Sequence, residues 1–469
     1  MALKTITITK SEILKCKEKR FDVKYFLTDS IFKKFEAKTS FTITTIEKLN
    51  AKIVSGSYID NYITKENGYP YLRVGNIKPF AINEEEKSLV FVSKNIPEKI
   101  KVKENDIVMG RTQATAAKLA VASIIDKKNA NSVISQHVSK ITVDENIISP
   151  YYLAGYFNSK FYQAQTSLAT HGDTRVELTH SQLNKVRILR PEKNILNKIS
   201  IKVKKIIEYN RQSINKIEQS QTVFYQKLNI DFSKIQKEKT YSVNLSDFFH
   251  TGFWTPMFSN PLFVNSLKAI KDNFETIQLG KIATIKKGDE VGSSNYMIAL
   301  DKKEKDIPFI RTSDLVNYEI DQFPDYYVPF SIYKELQQDV KSGDILYTKD
   351  GKIGMAAMVT ANDKTIISSG IVRLRLKPEA KKYNLTAEYI FTVLSLKETG
   401  LYQAMRRTVI GSTIPHLRED RLKEFEIPIL DKNSVDNITK LIKEAFELKN
   451  EKKKLIKEVK DEIDSYFNI

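Results

Sequence analysis

The 469-residue chain can be aligned with itself. "NDIVMGRTQATAAKLAVAS", Asn105 to Ser123, has the outline of "GDILYTKDGKIGMAAMV", Gly343 to Val359: an Asp turn, an apolar pair, a polar tip and a small-residue strand. "YLRVGNI" from Tyr71 aligns with "FIRTSDL" from Phe309, setting Arg73 against Arg311 at an offset of 311 − 73 = 238, and Asp106 falls opposite Asp344 at the same offset. "VISQHVSKI" with "IISSGIVRL", Tyr152 with Tyr389, Gly172 with Gly411, His180 with His416 and Leu183 with Leu422 keep nearly that spacing, and "RFDVKYF" at Arg20 has a looser echo in "GFWTPMF" at Gly252. A fixed long period is the mark of a repeated structural unit. The chain is also too long for one compact core, so two or more domains are expected.

Each half reads in the same three sections. First comes a β-rich region of short apolar strands ("DIVMGRT", "LAVASII"; "DILYTKD", "GIVRLRL") punctuated by Gly, Asn and Asp turns. A helical piece follows, "SPYYLAGYFNSKFYQAQ" or "TAEYIFTVLSLKETGLYQAM", whose aromatics at helical spacing read as core. A long helix ends each half. In the first, Ile199, Val203, Ile206, Asn210, Ile214, Ile217, Gln221, Phe224 and Leu228 step by three or four residues; in the second, Ile438, Ile442, Ala445, Leu448, Lys452, Leu455, Val459, Ile463 and Tyr466 do so. These narrow stripes with charged flanks have the form of coiled-coil seams, and Asn210, Gln221 and Lys452 are either polar register-setting positions or exposed seam ends. About 30 residues give each helix a length of roughly 45 Å.

Lys and Arg outnumber Asp and Glu by 75 to 57, for a net charge of +18, which points to an acidic polymer or to a lysine-rich solubilising surface. Cys16 is the single cysteine, so a disulfide and a cysteine zinc site are excluded, and the five histidines form no pair at metal-ligand spacing. No apolar run approaches the roughly 18 residues of a membrane span, and "MALKTITITK" has no signal-like apolar core, so a cytoplasmic chain with no membrane partner is expected. "DGKIGM" lacks the earlier glycine and the following hydroxyl residue of a phosphate-binding loop, and there is no glycine-rich cofactor turn. No two prolines are adjacent, which removes the Asp/Asn-Pro-Pro-aromatic motif of amino-methyltransferases, and "NEEEKS" reads as a solvated charge run more readily than as a nuclease Glu-x-Lys. The expectation is a reader with no catalytic residue of its own.

The order β-rich region, long helix, β-rich region, long helix, together with "VKSGDILYTKDGKIGMAAMV", "IISSGIVRLRL" and "RRTVIGSTIPHLREDRLKEFEIPIL", resembles the DNA specificity subunit of type I restriction-modification enzymes. The resemblance implies an α+β chain in which two similar target recognition domains alternate with two long helices that pair as an antiparallel coiled coil. The expected sections are 1–190 (with an N-terminal extension, 1–40) and 231–430 for the recognition domains, and 191–230 and 431–469 for the helices. It further implies double-stranded DNA as ligand and methyltransferase subunits, two of them expected, docked on the helices with S-adenosylmethionine. Restriction/translocase subunits would use ATP and Mg, and no cofactor would be held by this chain. The helix entrances "LRPEKNILNKI" and "IPILDKNSVDNI" lack the family's usual double proline. A related modification or phage-defence system therefore stays open, as do a coiled-coil scaffold and a single-chain DNA enzyme.

Residue type selects the DNA-contacting candidates: Arg73, Arg111, Gln113, Lys118, His171 and Arg175 in the first half, and Arg311, Lys349, Lys352, Arg406, Arg407, Ser412 and Thr413 in the second. Arg and Gln can pair bidentately with G or A, while Lys349 and Lys352 at a turn tip suit phosphates. Partner-binding positions are expected at Ile206, Asn210, Ile214, Ile217, Leu448, Leu455 and Val459. A spacer of about 45 Å predicts half-site centres on the order of 10 to 14 base pairs apart.

Overall fold

The computed structural model describes all residues except 1–6, 16–22, 114–118, 120, 170–175, 236, 239, 247–248, 250–254, 299–302, 304, 411–413 and 467–469. Two compact units result: Met1–Glu208 with Lys454–Ile469, and Tyr209–Lys453. Each contains an antiparallel four-stranded sheet of the same order. In the first unit it runs Lys52–Ser55, Val138–Thr142, Ile107–Gly110, Ala122–Ile124; in the second, Ala283–Lys287, Ile371–Leu376, Ile345–Thr348, Ala356–Met358. Each unit also has a second sheet with one parallel pairing, Leu72 beside Ile134 and Ile310 beside Ile367. A two-stranded ribbon in each joins the start of the repeat to its end, Thr42–Thr45 with Arg187–Arg190 and Thr276–Gln278 with Glu426–Pro428.

The repeat is therefore a repeat of fold. The offset is 238 at Leu72 and Ile310 but 367 − 134 = 233 across the parallel partners, because the second copy is shorter between these strands. One sequence pairing changes: the helix His180–Asn184 corresponds to Glu419–Leu422, so Glu419 and not His416 is the counterpart of His180. The helical pieces match in detail. Ser149 and Thr386 cap helices Pro150–Phe157 and Ala387–Ser395, and the hydroxyls of Tyr152 and Tyr389 donate to the backbone carbonyls of Leu189 and Pro428. Tyr152, Tyr156, Phe157, Tyr389 and Phe391 are buried core, as their spacing indicated. The possible echo between Arg20 and Gly252, and Cys16, lie largely outside the described residues.

The long helices span Lys193–Leu228 and Lys432–Ser465. They pair antiparallel within each unit. In the first, Lys198 and Lys202 pair with Glu462; in the second, Lys216 pairs with Glu444 and Lys227 with Asp431. Their seams are broader than a coiled-coil stripe, because each helix also forms part of a unit's core. Ser213 and Ser220 are fully buried, and Ser220 lies 3.4 Å from Thr392 of the capped helix. Ile217, Phe224, Ile438, Ile442 and Ala445 share one apolar cluster with the second unit's sheet. Of the expected partner-binding positions, Ile206, Asn210, Ile214, Ile217 and Val459 are buried in this packing, while Leu448 and Leu455 are half-buried. Burial within the chain closes the first five to a partner. Beyond Ala445 the inward face keeps the expected Lys452 but takes Lys449, Lys453 and Ile456 where the stripe had Leu448 and Leu455. Among the described residues no helix is long and apolar enough to cross a membrane.

Candidate nucleic-acid interface

In each unit four loops are tied to one edge by the same backbone bonds. Ser135 N–H donates to the Leu72 carbonyl and Ser368 N–H to that of Ile310, which joins the 135–137 and 368–370 turns to the ends of the Arg73 and Arg311 strands. Arg111 N–H reaches His137 O, and Lys349 N–H reaches Gly370 O, bringing in the polar tips after the central strands. A fourth loop arrives through Gly56 and Gly288. A Cβ there would stand 1.9 Å from the Ile134 carbonyl oxygen and 2.1 Å from that of Ile367, so only glycine lets the backbones approach so closely. The return segments complete the edge: Val176 pairs with Gln113, and His416 bridges to Asp350.

The side chains on this common scaffold differ. In the first unit Arg73 is exposed, with its N–H bound to Asn76 Oδ1. Arg111 donates to the Gln136 carbonyl at 3.2 Å and pairs with Glu177 at 2.9 Å. Tyr58 and Tyr62 are large exposed aromatics on the loop after Gly56, which Tyr71 secures by donating to Ser57 O and accepting from Ile59 N–H. His180 Nε2 lies 2.8 Å from Ser55 Oγ and 3.2 Å from Ser139 Oγ. Burial and the nearby Arg111 hold the His180 pKa below its ordinary value, which favours the neutral ring. The mixture of cations, amide, imidazole and exposed phenols can hydrogen-bond base edges and phosphates.

In the second unit Arg311 is exposed and lies over the Tyr326 ring. Glu290 replaces Tyr58 in sequence position and hydrogen-bonds Ser369. Lys349 departs from the turn-tip expectation. Its side chain is 4 % exposed, with Nζ 3.1 Å from both Asp350 oxygens, 3.4 Å from His416 Nδ1 and 3.6 Å from Glu419. Buried among acids, it orders the tip and does not face outward. Lys352 is the exposed cation there, next to Gly351, whose φ of 64° requires glycine's freedom.

Arg406 and Arg407 are engaged in packing contacts. Arg406 donates to Phe258 O at 2.6 Å and covers the Phe258 ring, and Arg407 is buried against Glu424 and the Phe425 ring. Burial lowers both pKa values, that of Arg406 to about 10. Structural packing is the role their surroundings support. Gln113 has its backbone on the edge, while Lys118, His171, Arg175, Ser412 and Thr413 lie outside the described residues. Sequence reasoning missed Tyr58, Tyr62, Gln136, His137, Glu290 and Ser369. For Tyr58, Tyr62 and Glu290 the available signal is Gly56 and Gly288, each directly before a divergent polar segment; for Gln136, His137 and Ser369 it is the divergence of "SQH" and "SSG" inside otherwise aligned strands.

Comparisons with known proteins give a family match and structural relatives. The family described as "Type I restriction modification DNA specificity domain" matches residues 271–458. The structure of the type I restriction-modification S subunit from M. genitalium is similar at 14% identity over 92% of this chain and 96% of that one, with a TM-score of 0.34. The HsdS subunit from Thermoanaerobacter tengcongensis is similar at 14% identity over 92% and 97%, with a TM-score of 0.29. No curated protein matches the chain by sequence.

Proposed function

We propose that this chain, whose residues 271–458 match the type I restriction modification DNA specificity domain, is the DNA-recognition subunit of such a system and reads a split target through its two β-rich units. The observation that carries the reading is the matched pair of loop edges: identical backbone tethers hold Arg73, Arg111 and Gln136 in one copy and Arg311, Lys352 and Ser369 in the other. Equal scaffolds with unequal side chains suit two different half-sites, since phosphate contacts set register while base-edge contacts set sequence. The net charge of +18 supplies the long-range attraction to DNA.

In this reading the chain does no chemistry. Methyltransferase subunits dock on the outer faces of the long helices and bring S-adenosylmethionine; a restriction subunit, where present, brings ATP and Mg. The helices act as a spacer, so half-site centres are set on the order of 10 to 14 base pairs apart. Methylation mapping in a host with and without this protein tests the proposal. A split asymmetric motif that disappears with the protein is the expected result; an unchanged methylome, or a single contiguous motif, would overturn it.

A further inference from the structure

Between the second unit's sheet and its helical segments lies a buried ionic cluster. Hairpin strands Leu315–Val316 and Glu319–Ile320 turn through Asn317 and Tyr318, both at positive φ (49° and 67°), and push Glu319 against the second long helix. Lys449 Nζ, whose side chain is 0% exposed, donates to Asn317 O at 2.8 Å and lies 3.3 Å from Glu319 Oε1. Lys452 Nζ meets the same carboxylate oxygen and donates to Asn210 Oδ1 at 2.9 Å, which brings in the first long helix. Lys453 Nζ reaches Asp363 Oδ1 at 2.6 Å, and Asp363 is fixed by Thr360 N–H and Oγ1, each at 2.7 Å. Both helices, the hairpin and the 360–363 turn therefore converge on three ammonium groups and two carboxylates.

This arrangement is poorly explained as a source of stability. Taking five charges out of water costs several kcal/mol per ion, and apolar side chains of similar volume are often neutral or better. The first repeat has no counterpart of the cluster. It keeps the closing bond, Asn83 N–H on Asn76 O matching Asp321 N–H on Asp314 O, and Phe80 at φ 70°, but Pro79 stands in place of Asn317, no paired strands form there among the described residues, and Ala81 occupies the position of Glu319. What ions add over apolar contacts is direction. A leucine face tolerates rotation and sliding, whereas bonds from Lys449 to a hairpin carbonyl and from Lys452 to Asn210 close in one alignment only.

We propose that Glu319 is a positioning residue: with Lys449, Lys452 and Asn210 it locks the angle and height of the second recognition edge on the helix pair, and so fixes where that half-site must lie. The consequence for DNA rests on the function proposed above; the lock itself does not. The test uses the full chain in a Cys16→Ser background with spin labels at 313, in the turn between Arg311 and the hairpin, and at 443 on the long helix, both exposed, and a variant combining Asn210→Leu, Glu319→Leu, Lys449→Met and Lys452→Leu.

This apolar variant is expected to keep the wild-type melting temperature or exceed it, while its label distance distribution broadens about twofold or more. On duplexes carrying the mapped half-sites, discrimination against a gap changed by one base pair is expected to fall from about tenfold to within about threefold. A folded variant with the wild-type distribution overturns the lock. A broadened distribution in a protein whose wild type shows no gap preference upholds the lock and removes the DNA reading. Should the fourfold variant not fold, Glu319→Asp, which keeps the charge but shortens the reach, is expected to broaden the distribution, and an unchanged width there overturns the proposal equally.

Discussion

Lys349 and Lys352 stand three residues apart on one turn, and the fold gives them opposite surroundings. Lys352 is exposed beside Gly351; Lys349 is sealed by Asp350, His416 and Glu419. Lys352→Ala is therefore expected to weaken binding to all DNA sequences and to reduce the salt slope by about one unit. Lys349→Ala should leave the slope alone and cost about 1–3 kcal/mol of stability, because Asp350 loses its buried partner; salt titrations of binding alongside urea melts check both. The glycines are equally divided. Gly56→Ala and Gly288→Ala drive a Cβ into the Ile134 and Ile367 carbonyls and should each cost about 1–3 kcal/mol or more, whereas Gly75→Ala, with nothing within 4 Å of its Cβ position, should change the melting midpoint little. Sequence alone ranked these lysines together because residue type and turn position were the only guides, and burial is a property of the returning strand.

At the scale of elements, the hairpin carrying Glu319 and the Lys449–Lys453 turn of the long helix have an electrostatic signature. Burial pushes the Glu319 pKa up, but Lys449, Lys452 and Lys453 outweigh it and bring it to about 2, while burial, opposed by Glu319, takes Lys449 down to about 8. The unfolded carboxylate titrates near 4.5, so its pairing stabilises the fold fully above that pH and ceases to do so as pH falls from 4.5 toward 2. Urea midpoints at descending pH should show wild type losing stability across this window, with Glu319→Gln flatter and the gap between the two closing at the acid end. The helices themselves were legible as narrow periodic stripes with charged flanks. Their exact inward face was not, since Lys449 and Lys453 take core positions only because Glu319 and Asp363, more than 85 residues away in sequence, arrive there.

For the whole molecule, the spacer reading requires both long helices to change together. Paired contacts such as Lys216 with Glu444 and Asn210 with Lys452 run antiparallel, so seven residues inserted into one helix alone would break the register. Matched heptads inserted in both add about 10 Å, and the preferred gap should lengthen by about three base pairs with both half-site sequences unchanged. Methylation mapping of the lengthened protein checks this; altered half-site bases would contradict it.

The duplication, the alternation of β-rich and helical sections and the two matched apolar stripes were determined by sequence alone, because periodicity and turn chemistry are local and are repeated at a fixed offset. Tertiary structure decided which lysines face water, that Glu419 is the counterpart of His180, and which loops share an edge. Those outcomes depend on contacts between residues far apart in the chain, such as Gly56 against Ile134 or Glu319 against Lys452, and no local pattern encodes them.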